Sequence, residues 1–241
     1  MKKRIIALML LAVALCCFGC GKKDKTDEPV KEALSPSGKA AYYKALEDIL
    51  NKGLLPGGEK LPIGTGEDIG KSQFALGDVN KDGRDELILL LNSEYSAGNS
   101  ALIYLWEDEG GEMKKLLGEY PMLTFYDNGI IKVGFSHNQG LSGDNFWPFS
   151  IYQFDAASGI YVKEGSVEAW DKNFVPEGFP EDIDKSKTGY VYYITPANAD
   201  KSNPPVDEAE YMIWYDSYLK GAKEVSFDFM KITSGNIEKL K

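Results

Sequence analysis

Cysteine is scarce and confined to one end. The 241-residue chain has three, Cys16, Cys17 and Cys20, and none after position 20. The body therefore has no disulfide framework, no thiolate-bound zinc and no thiol nucleophile. Histidine is scarcer still, with His137 the only one. It lies in SHNQGLSGDN, a polar stretch that reads as a loop, and no G-x-S-x-G or comparable nucleophile motif accompanies it. A surface histidine is the plain reading. Positive charge is also in deficit: 27 Lys and Arg stand against 37 Asp and Glu, a formal charge of −10. So acidic a chain argues against nucleic acid and against electrostatic adhesion to anionic lipid. Acid pairs such as Asp182 and Asp184 would suit a glycosidase, but pairs arise freely in a chain of this composition.

The first 19 residues carry a basic start (Lys2, Lys3, Arg4) and then an apolar run over 5–18. That run falls short of the about 20 residues needed to span a bilayer and fits the core of a signal peptide. Removing it takes the formal charge from −10 to −13. Residues 20–37 (CGKKDKTDEPVKEALSPS) are charged, contain two prolines and show no periodic apolar face, so they read as a flexible tether. A single domain is expected over 38–241, long enough to bury one core.

Helical spacing of Tyr42, Leu46, Ile49 and Leu50 predicts an amphipathic helix over 37–51, with Ser35 or Ser37 as its cap and Gly53 and Pro56 beyond its end. Strands are expected at 101–106, 112–119, 122–126, 130–135, 147–154, 160–169 and 189–195. The Asn128-Gly129 pair between two of them is a strong hairpin signal. A second helix should start at Asp207, with Glu210 completing a capping box, and Tyr211, Trp214, Tyr215, Tyr218 and Leu219 should form one face against a sheet. Residues 225–232 alternate as a last strand. The expected class is α+β: an antiparallel β-meander of about eight to ten strands with a helix near each end of the mature domain.

The most specific stretch is 74–91, FALGDVNKDGRDELILLL. Numbered from Asp78, oxygen-bearing side chains fall at positions one (Asp78), three (Asn80), five (Asp82) and nine (Glu86), with Gly83 at six and Arg84 at seven. Alternate side chains of a tight loop can converge on one centre, and Arg84 would contribute only its backbone carbonyl. Hard oxygen donors of this kind suit a calcium ion, Ca2+, better than magnesium, which demands a stricter octahedron. The metal is expected to be structural, since one loop supplies all its ligands. An Asp/Asn/Gly-rich turn without metal is the plainer alternative.

Three resemblances follow from these residues. Gly19-Cys20 at the end of the apolar run resembles a bacterial lipobox, which implies acylation of Cys20 and a cell membrane anchor facing outside the cytoplasm. The loop shares its first positions with EF-hand and dockerin loops, but the twelfth is Leu89 where those need an acid. It looks more like the FG-GAP or VCBS type, D-x-N-x-D-G-x-x-acid between two strands, occurring here once. The whole pattern looks like a group of uncharacterised bacterial surface lipoproteins with a calcium-stabilised domain. The expectation is a non-enzymatic binding or interaction module at the cell surface, with a hydrolase acting on an envelope polymer or glycan as the alternative. Trp147, Trp170, Tyr152 and Tyr161 are candidates for a platform that takes a glycan or peptide.

Overall fold

The computed structural model describes residues 35–61, 69–93, 98–138 and 140–241. The expected leader, Cys20 and the tether up to residue 34 lie outside the described residues. The first helix, α1 (Pro36–Lys52), begins slightly earlier than its periodicity suggested, because Ser35 is its cap and accepts from the Gly38 N–H while Pro36 takes the first turn. Gly53 closes it, donating to the carbonyls of Asp48 and Ile49.

Among the described residues eleven strands follow, in two antiparallel sheets where a single meander was expected. The first sheet contains β1 (Gln73–Gly77), β2 (Glu86–Leu91), β3 (Ser100–Glu107), β4 (Glu112–Glu119) and, near the C-terminus, β11 (Met230–Lys231), in the order β11-β1-β2-β3-β4. The second contains β5 (Leu123–Tyr126), β6 (Ile131–Gly134), β7 (Phe149–Asp155), β8 (Ile160–Asp171), β9 (Tyr190–Pro196) and β10 (Glu224–Val225), in the order β10-β5-β6-β7-β8-β9. The two sheets face each other. Ala75, Ile88, Ile103 and Leu105 from the first meet Phe125, Ile131, Val133, Tyr152 and Tyr161 from the second in one buried cluster.

Each sheet also covers its other face. Phe74, Leu87, Leu89, Leu91 and Tyr104 pack under Tyr42, Leu46 and Ile49 of α1. A short C-terminal helix, α3 (Ser234–Ile237), joins that cluster through Ile237. No expectation covered α3, since four residues are too few to show a helical period. On the far side, α2 (Glu208–Leu219) lies on the second sheet. Tyr211 stacks on Tyr192 with ring centroids 4.1 Å apart, and Trp214 and Tyr215 lie against Phe149. The layers are therefore helix, sheet, sheet, helix. This order explains ELILLL in β2: a central strand buried on both faces has no wet side to alternate with.

Residues 225–232 do not form one strand. The segment crosses between the layers, pairing with β5 at Glu224–Val225 and with β1 at Met230–Lys231, and it places Phe227 and Phe229 against the interlayer cluster on the way. Its alternation is real but serves two sheets in turn.

Asp207 occupies the N-cap position of α2, but its side chain makes no capping hydrogen bond there. Its carboxylate instead accepts from the N–H and the hydroxyl of Ser186, at 3.1 and 2.5 Å. These bonds, the hydroxyl's first, hold its pKa below the ordinary 3.8. A carboxylate more acidic in the folded than in the unfolded chain stabilises the fold above the unfolded value and loses that contribution as the pH falls. Acid titration of the folded state should therefore show a shallower limb below about pH 4 for Asp207→Asn than for the parent chain. Superimposable limbs would remove Asp207 from that role.

Candidate metal loop

Strand β1 ends at Gly77 and β2 begins opposite it at Glu86, so the register closes a hairpin around residues 78–85. Two left-handed residues curl the loop: Lys81 at φ 64° and Gly83 at φ 91°. Gly83 reaches that conformation without the Cβ clash that other residues meet. The oxygen-bearing side chains then brace successive backbone N–H groups. Asp78 Oδ2 accepts from Gly83 at 3.2 Å, Asn80 Oδ1 from Asp82 at 2.9 Å, and Asp82 Oδ1 from Arg84 at 2.9 Å. The Arg84 guanidinium folds back on Asp82 Oδ2, with Nη2 at 2.7 Å.

Glu86 is the unusual member. It is completely buried, and one oxygen, Oε2, accepts from the Val79 N–H at 2.7 Å. The other, Oε1, is buried with no hydrogen-bond partner among the described residues, and Asp78 Oδ1 is in the same condition. Burial, reinforced by the charges of Asp82 and Asp78, pushes the Glu86 carboxyl up from 4.5 to about 8. Among the described residues, no group of three or more His, Cys, Asp or Glu side chains is arranged to hold a metal ion. Asp82 is engaged by Arg84, and the loop's remaining donors include an amide and a carbonyl.

The loop sits at the seam between the sheets. Val79 enters the interlayer cluster. The β5–β6 turn presses on the loop backbone: a Cβ built on Gly129 would stand 3.2 Å from the Asn80 carbonyl oxygen. Tyr161 donates to the Gly129 carbonyl at 3.2 Å. Burial raises the pKa of this phenol, and the charges of Glu86, Asp78 and Asp82 raise it further. The same turn reaches α2 and β10, because Asn128 Nδ2 donates to the Tyr218 carbonyl at 2.8 Å and Asp127 exchanges two bonds with Lys223.

The four aromatic candidates do not share an exposed face. Tyr152 and Tyr161 are buried between the sheets. Trp147 and Trp170 are half-buried, and each indole N–H donates to a backbone carbonyl, of Phe135 at 2.8 Å and of Val175 at 2.7 Å. Trp170 also meets Phe179 edge-on. His137 is exposed and hydrogen-bonded to its neighbour Ser136. Of the acid pair, Asp184 is buried and accepts from the N–H groups of Thr188 and Gly189, which makes it a turn brace. A polar cavity went unread in the sequence: Glu119 ends β4, Lys163 and Glu168 belong to β8, and no spacing along the chain links them.

No family model, no curated protein and no solved structure matches this chain.

Gly129 and Gly111 both have positive φ, but a Cβ on Gly111 meets nothing within 4 Å. Alanine at either site costs about 1–2 kcal/mol for the left-handed backbone. At Gly129 it must also displace the Asn80 carbonyl. Urea denaturation should therefore show Gly129→Ala to be clearly less stable than Gly111→Ala. Equal losses would mean that the turn does not bear on the loop.

Proposed function

We propose that the 78–86 loop holds one structural calcium ion, and that the chain is a lipid-anchored binding or interaction module, not an enzyme, facing outside the cytoplasm. The carrying observation is the pair of buried oxygens without partners, Glu86 Oε1 and Asp78 Oδ1. A carboxylate removed from water is costly unless a charge or a donor compensates it. A calcium ion would compensate both, with Asn80, Asp82 and the Arg84 carbonyl completing an all-oxygen set after Asp82 turns from Arg84. The position of the loop also supports a structural role, because a cation there would brace the first hairpin and the β5–β6 turn leaning on it.

The sequence motif Gly19-Cys20 supports the anchor. Several acyl chains hold a protein stably on a membrane where one gives only marginal binding. An anchored, acidic domain behind a charged tether suits contact with partners outside the cell.

Calcium at about a hundred times its Kd should raise Tm by roughly 5–10 °C over a chelator control. Glu86→Gln should abolish the shift without lowering the Tm of the metal-free protein, since the amide matches the shape of a carboxyl that burial already discourages from ionising. A shift that persists in Glu86→Gln and Asp78→Ala, or no shift in the parent chain, overturns the calcium site. Separately, Cys20→Ala should lose metabolic labelling by a fatty-acid analogue and move to the soluble fraction. A Cys20→Ala chain that still labels and stays with the membrane overturns the anchor.

A further inference from the structure

Two cavities, of about 450 and 550 Å³, adjoin where the chain passes from the first sheet to the second. They share Glu119, Tyr120 and Ser136 in their walls and so form one trough. The larger runs beneath Lys60 and Lys115, and the smaller is lined by His137, Lys163 and Glu168. Its walls therefore carry both signs of charge.

These charges do not neutralise one another. Glu119, Lys163, Glu168 and Lys115 form no ion pair among the described residues. Glu119 is nevertheless held in place: the buried Tyr152 hydroxyl donates to its Oε1 at 2.5 Å, which leaves Oε2 without a protein partner among the described residues. Lys163 lies over the Phe135 ring, with Nζ 6.0 Å from the centroid. Positioned charges of both signs, unspent on each other, complement a ligand that carries both.

A polyanion would meet the carboxylates of Glu119 and Glu168, and a polycation would meet Lys115 and Lys163. A sugar would want an open aromatic face to stack on. Here the Tyr152 and Tyr104 rings are buried and Lys163 covers Phe135, so among the described residues the half-buried Tyr120 is the one Tyr or Phe ring of these walls open to stacking. An extended peptide offers N–H donors, carbonyl acceptors, an ammonium and a carboxylate along one line. We propose that this trough binds such a peptide, with a ligand carboxylate facing Lys163 and its ammonium or N–H groups facing Glu119 Oε2 and Glu168. The assignment rests on reading the chain as a binding module and names the ligand class of that module.

The test uses the full chain on an array of short peptides with free termini, on the same peptides acetylated and amidated, and on a glycan array. The free-terminus peptides should be captured most strongly. Titration of the best of them should then show Glu119→Gln and Lys163→Gln each about tenfold or more weaker, the loss expected for one charged hydrogen bond. Lys185→Gln, on an exposed loop away from the trough, should bind as the parent does, and melting curves should confirm that all three variants are folded. Capture of glycans and of no peptide overturns the peptide assignment and leaves the module reading standing. Peptides bound equally by the parent and by both trough variants remove the site but not the activity. No capture on any array overturns the trough and the module reading together.

Discussion

Strand β2 has to be dry on both faces. Leu87, Ile88, Leu89 and Leu91 are fully buried, and alternate members point to opposite layers. Leu87, Leu89 and Leu91 sit under α1, and Ile88 faces the second sheet. Each such side chain contributes about 1.5–3 kcal/mol when it is taken out of water, so the strand is worth burying only if something covers both of its sides. That condition calls up the rest of the fold. Helix α1 with α3 supplies one cover and the second sheet supplies the other. The second sheet then has an outer apolar face of its own, which α2 closes with its aromatic side.

The 78–85 loop inherits its position from this arrangement. Because β1 and β2 are interior to the first sheet, the loop joining them opens at the seam, against the β5–β6 turn. Glu86 is the first residue of β2 and shares its dryness, which is why its carboxyl is so reluctant to ionise. A buried carboxylate with one orphan oxygen is costly in any fold. In the proposed reading a cation offsets that cost, and it does the work of a cross-link in a body without cysteine. The crossing segment 224–231 performs a related task covalently: it belongs to both sheets, and its Phe227 ring lies on Gly77 at the mouth of the hairpin.

The trough lies at the other sheet-to-sheet passage, where β4 hands over to β5. Such junctions cannot be packed as tightly as strand faces, since the chain turns from one layer to the next. They are therefore natural places for polar side chains to stand unpaired beside a cavity.

Local chemistry made several features legible from the residues alone. Ser35 and Gly53 bound a helix because capping is a matter of a few neighbouring N–H and C=O groups. Asn128-Gly129 makes a turn because of backbone sterics, and the alternating oxygens of Asp78, Asn80 and Asp82 make a braced loop because each reaches a backbone N–H two to five residues on. The α+β class and most strand positions followed from periodicity. Tertiary structure decided what depends on distant partners: two stacked sheets where one meander was expected, the division of 224–231 between them, the diversion of Asp207 to Ser186, and the burial of Tyr152 and Tyr161 away from any platform. The apolar runs of β2 and β3 were visible, but a run states only that a strand is dry and not what dries it. The orphan oxygens and the charges of the trough were not readable at all, because burial and the absence of a partner are properties of the packed molecule and not of any residue in it.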